Sequence, residues 1–117
     1  MDIMERINIM KDYDLIDQII YNDLAAIIDV FKESGILLNE ENAGIMITHI
    51  ASAFIRNKTK EKIESLDREI IKDMQNDPMF DEACRIFCMI KSRIQNHFNE
   101  IEREFALVHI CTVLNNM

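Results

Sequence analysis

His49 and His109 are the residues whose type and placement best suit chemistry in this chain. Each lies in an apolar segment with a charged residue seven positions away, Arg56 after His49 and Glu102 before His109. Seven residues make nearly two turns of α-helix, so each pair shares a helix face. Imidazole titrates close to physiological pH and serves as a base or a metal ligand. The sequence holds only three histidines, and two stand in this setting. Both also fit a plain structural role, as core histidines satisfied by an internal hydrogen bond.

Other reactive side chains give weaker patterns. Cys84 and Cys88 are four apart on one predicted helix, but no nearby Cys or His motif completes the four ligands zinc usually takes. Together with Cys111 they read as small buried apolar residues. The odd cysteine count of three, without secretory context, favours reduced thiols. His97 sits near a predicted helix C-terminus, where a partly charged imidazole suits the dipole. No Gly-rich elbow or phosphate loop marks a nucleophilic hydrolase. The eight methionines, among them Met4, Met10, Met46, Met74, Met79 and Met89, suit adaptable packing in a core or interface.

Composition narrows the function classes. A net charge of -8 repels phosphate backbones and disfavours direct nucleic-acid binding. Arg56, Lys58, Lys60 and Lys62 form one small basic run, read as a solvated loop and helix start. Trp is absent, which weakens any base-stacking platform. The start, Met1-Asp2-Ile3-Met4-Glu5, lacks a signal-peptide pattern, and no apolar run reaches membrane-spanning length. The default expectation is a cytoplasmic protein with no membrane contact.

The elements that must position these residues are helices. Two glycines and one proline among 117 residues are too few for the many tight turns of a β fold. The pattern predicts an all-α, compact antiparallel bundle of five to six helices forming one domain over residues 1–117. A first helix spans 2–11. Asp14 is expected to cap a second helix running to Ser34, with Leu15, Ile19, Leu24, Ile27, Ile28 and Phe31 at helical spacing and Gly35 as its stop. Asn39 caps a third from Glu40 to about Arg56, with Ala43, Ile47, Ile50, Ala51 and Phe54 on one face. Gly44 inside it costs about 1 kcal/mol relative to Ala, which points to close helix contact or a tolerated defect. A fourth helix is expected from Thr59 or Lys60 to Gln75. Asp77 and Pro78 open a fifth that continues to about His97. Asn99 with Glu102 forms a capping-box-like start to the last.

The segment Ile47-Thr48-His49-Ile50-Ala51-Ser52-Ala53-Phe54-Ile55-Arg56 resembles the signature of PTS regulation domains (PRDs), the phosphorylatable helical modules of bacterial antiterminators and activators linked to sugar uptake. The shared features are the histidine, the apolar turn, the small Ala53 and Arg56. Glu102 followed by Phe105-Ala106-Leu107-Val108-His109-Ile110 is similar to the family's second signature. Leu66, Glu69, Ile70, Pro78 and Ala83 fall where the family often has a leucine, an acidic helix start, a proline and an alanine. The resemblance covers roughly residues 36–117. Thr48 stands where the family commonly has an aspartate, which removes a carboxylate beside the first imidazole. The chain reads as a short stand-alone version, with one module and no RNA-binding domain.

The resemblance implies a non-enzymatic regulatory domain with His49 and His109 as candidate phosphoacceptors. It would take phosphate from a phosphocarrier protein or a sugar-permease component, without cofactor or metal. The added charge would bias homodimer formation or binding to a downstream protein. Arg56 is the expected partner of a phosphate on His49, because its planar fork matches phosphate oxygens. Glu102 would repel a phosphate on His109, hold that ring through its N–H, or merely cap the last helix. Two other readings stand beside this one: a helical interaction module whose histidines are structural only, and a small metal-dependent or acid/base enzyme using His49, His109 and a carboxylate.

Overall fold

Most helices begin at a short polar side chain that accepts from the otherwise free N–H groups of the first turn. Asp2, Asp17, Asn39, Asp67 and Asn99 do so for α1 (Ile3–Asp12), α2 (Gln18–Glu33), α3 (Glu40–Thr59), α4 (Arg68–Gln75) and α6 (Glu100–Asn115). α5 (Phe80–Lys91) starts differently: its N-cap, Met79, has no capping side chain, and Asp77 Oδ1 instead accepts from the Met79 N–H at 2.7 Å. The computed structural model describes residues 2–61 and 63–116. Among these the fold is an all-α bundle of six helices without strands, apart from an isolated bridge between Asp2 and Asn39 that seats the start of α1 against the start of α3.

The core is built from apolar stripes along the helices. Ile3 and Ile7 of α1, Leu24, Ile27 and Phe31 of α2, Ile47, Ile50 and Phe54 of α3, Ile86 and Ile90 of α5 and Ile110 of α6 are all essentially inaccessible to water. α1 packs on α2 and α3, α2 on α3 and α5, and α6 on α3, α4 and α5. The α3–α6 contact carries both histidines of interest. No described helix is long and apolar enough to cross a membrane.

Several expected boundaries move, each for a physical reason. Asp14 does not cap α2. It adopts a left-handed conformation, and Asp17 caps instead, which leaves Leu15 and Ile19 largely exposed. α3 runs almost a turn beyond Arg56 and ends where Lys60 turns left-handed. That turn breaks the helix expected from Thr59 to Gln75, of which only the part capped by Asp67 is helical. α5 stops at Lys91 because buried Asp23 captures the Gln95 and Asn96 backbone N–H groups. His97 therefore lies exposed in a loop rather than at a helix end. Gly35, at φ 85°, ends α2 as expected. Cys111 is buried and Cys84 half-buried, but Cys88 is exposed, against expectation. Lys62, part of the basic run, lies outside the described residues.

Candidate functional site

α3 and α6 bring the four predicted site residues together, but in crossed pairs. The two histidine rings meet across the seam, with centroids 4.8 Å apart and planes tilted by 46°. Arg56 and Glu102 meet across the same seam, Nε donating to Oε1 at 3.0 Å and Nη2 to Oε2 at 3.1 Å. The couples anticipated along each helix, His49 with Arg56 and Glu102 with His109, are not the contacts made. Seven residues at 1.5 Å rise separate side chains by about 10 Å, so the facing helix supplies the nearer partner.

The local structure explains how each group is held. Asn39 opens α3 with a two-way capping box, its side chain accepting from Asn42 N–H while Asn42 accepts from Asn39 N–H. Asn99 opens α6 by accepting from Glu102 N–H at 2.8 Å. The Glu102 carboxylate does not reach back to complete a second box. It points inward, 3% exposed, onto Arg56. Phe105, one turn along α6, stacks on His49 with centroids 5.0 Å apart.

Electrostatically the site combines one charged pair with two neutral rings. Burial is the main reason both imidazoles have pKa values below the ordinary value. For His49, Glu102 pulls the other way and Arg56 adds to the lowering. For His109, the neighbouring His49 adds to it. The rings are therefore uncharged at neutral pH and keep a free nitrogen lone pair. His49 Nε2 is buried without a hydrogen-bond partner, 3.9 Å from Glu102 Oε2.

Each histidine also reaches an opening. His49 lines a groove of about 320 Å³ with Arg6, Thr48, Ser52 and Arg56. His109 lines a larger cleft of about 650 Å³ between the start of α3 and the end of α6, beside Met46, Val108 and Thr112. Arg6 is the residue that sequence reasoning missed. It arrives from α1, forty-two positions before Thr48, and donates to the Thr48 hydroxyl through Nε at 3.1 Å. No spacing pattern announces a contact between separate helices. Among the described residues, no group of three or more His, Cys, Asp or Glu side chains is placed to hold a metal ion. Burial pushes the Cys111 thiol up to about 11, so it stays protonated at neutral pH.

The chain is 22% identical over 106 residues to the uncharacterized protein YhfY of Escherichia coli (strain K12), an alignment spanning 90% of this chain and 88% of that one. No protein-family model matches the chain, and no solved structure matches it.

Proposed function

We propose that the chain is a non-enzymatic regulatory domain of the PTS regulation domain type, which receives a phosphoryl group on His49 or His109 and so modulates dimerisation or partner binding. One observation carries the reading: two neutral imidazoles in ring contact at a helix seam, beside the pair of buried Glu102 with half-buried Arg56. A neutral imidazole can attack the phosphorus of a donor phosphohistidine. One N–P bond forms as the donor's N–P bond breaks, and the electron pair of the broken bond returns to the donor ring. No nucleotide or metal is consumed. The product adds a charge of about -1.5 to -2 next to the buried Glu102 carboxylate. Repulsion in a poorly solvated seam then favours a different α3–α6 packing, which a second copy or a downstream protein would sense.

A second reading, a helical interaction module with structural histidines only, is favoured by two details. His49 Nε2 is sealed from solvent, and the Arg56 fork expected for phosphate is already taken by Glu102. The deciding experiment is phosphotransfer from a phosphorylated phosphocarrier protein to wild type, His49→Ala and His109→Ala. Label that disappears in one of the variants supports regulation. An unlabelled wild type, with lower stability but unchanged partner binding in the variants, supports the structural module.

A further inference from the structure

Two arginines border the His49 groove, and they use the same edge of the guanidinium differently. On Arg56 the Nε/Nη2 edge holds both carboxylate oxygens of Glu102. On Arg6 the corresponding Nε/Nη2 edge is spent on one neutral atom, the Thr48 hydroxyl oxygen. The remaining Nη1 of Arg6 pairs with Glu40 on α3. That edge is the planar fork that matches carboxylate and phosphate oxygens. A hydroxyl uses it poorly, and exchanging it for an anion gains charge without breaking the Glu40 pair.

The surroundings favour such an exchange on this side only. Thr48 and Ser52, one turn apart on α3, give the groove hydroxyl groups, and Arg6 and Arg56 border it with guanidiniums, each already paired with one carboxylate, Glu40 and Glu102 respectively. On the opposite side of the His49 ring stand His109, Phe105 and the Glu102 carboxylate. A dianion on the ring is therefore repelled from α6 and attracted toward α1.

We propose that Arg6 is the anion-binding residue for a phosphoryl group on His49, giving up the Thr48 hydroxyl to grip the phosphoryl oxygens. This inference rests on the phosphoacceptor reading of His49. It also sets a direction for the switch: modification tightens α1 against α3 while loosening α3 from α6. Arg6 becomes the means by which a charge on α3 is read at the far side of the bundle from α6.

The test treats wild type, Arg6→Gln, Arg6→Lys and Thr48→Asp with potassium phosphoramidate. Mass spectrometry locates the phosphohistidine, and phosphorus NMR follows its second ionisation with pH. In wild type a guanidinium on the oxygens favours the dianion and lowers that ionisation. Arg6→Gln is expected to raise it by about one unit, the size of a tenfold change in equilibrium. Arg6→Lys keeps the charge without the fork and is expected to fall between. Thr48→Asp fills the fork with a carboxylate and is expected to raise the ionisation; its charge also repels the phosphoryl group directly, so Arg6→Lys is the variant that covers the case in which Arg6→Gln folds poorly. Absence of phosphoryl on His49 in wild type removes the phosphoacceptor reading of His49 and this inference together. Phosphoryl on His49 with the same ionisation in wild type, Arg6→Gln and Arg6→Lys overturns this inference alone.

Discussion

Among the described residues, two carboxylate side chains are buried, and they are satisfied in different ways. Asp23 on α2, 2% exposed, accepts from Gln95 N–H, Asn96 N–H and the Asn96 side-chain amide at 2.7–2.9 Å. Its donors are mainly backbone, and its task is to pin the loop between α5 and α6. Phe98 reinforces that anchor by packing between Phe54 and Phe87, each ring centroid 5.2 Å away. Glu102 on α6 is as deeply buried, but its side chain is neutralised by one guanidinium that is itself 19% exposed. Beside it lies a ring nitrogen with no partner. The first carboxylate is locked by groups that cannot leave. The second depends on a side chain that can be drawn away, next to rings that can change charge. Burial alone does not mark a functional carboxylate; what distinguishes these two is whether the partners are fixed or exchangeable.

The sharpest way to break the comparison is to remove each carboxylate. Asp23→Ala leaves buried N–H donors without an acceptor, and hydrogen bonds to a charged group contribute most. A loss of about 3 kcal/mol is expected, read from the urea midpoint, with both imidazole titrations unmoved. Loss of less than a third of that would show that the loop is held by Phe98 rather than by Asp23. Glu102→Gln strands Arg56, but that guanidinium reaches water and can resolvate. The expected loss is smaller, about 2 kcal/mol, below the range for a fully buried pair. It carries a second signature. Glu102 raises the His49 pKa, so its removal should lower that pKa further, as seen by proton NMR of the ring, while His109 changes less. An upward movement of the His49 titration would contradict the assigned electrostatics.

Much of this arrangement is legible in the sequence. The apolar stripe of α3, that of α2 from Leu24 onward, the caps at Asn39 and Asn99, and the stop at Gly35 follow from helical period and local chemistry. The involvement of His49, His109, Arg56 and Glu102 was visible as positions on two helix faces. Who touches whom was not. Spacing along one helix names neighbours within a turn, whereas the pairs formed here cross between helices. Arg6 and Asp23 were invisible for the same reason, since each meets partners dozens of residues away. The misplaced start of α4 has another cause. Ile63 and Leu66 continue an apolar period, but Lys60 turns left-handed and Asp67 caps the helix later.

The histidine pair gives the region around Glu102 a pH dependence of its own. Both imidazoles have lowered pKa values in the fold, so the unfolded chain binds protons first as pH falls. Stability is then fully present above about pH 6.5, the ordinary histidine value, and declines as pH drops below it. Urea midpoints measured between pH 7.5 and 5 should fall in wild type. They should fall less in the double variant His49→Gln/His109→Gln. Equal slopes in the two proteins would place the acid sensitivity elsewhere.

The smallest effect tests the Arg6 side of the comparison. Glu40 reaches Arg6 by folding its side chain over Gly44, where an added Cβ would lie 2.8 Å from Glu40 Oε1. Gly44→Ala therefore sets two small quantities against each other. Helix propensity favours Ala by about 1 kcal/mol. Displacing the partly exposed Glu40 from Arg6 loses up to about 1 kcal/mol. The single variant should be close to neutral in the urea midpoint. In a Glu40→Ala background the clash is gone and the ion pair is already lost, so Gly44→Ala should there stabilise by most of the propensity difference. Gly44 is then explained as the space that lets Glu40 hold Arg6 against α3. Equal effects in both backgrounds would mean that Gly44 serves something other than this clasp.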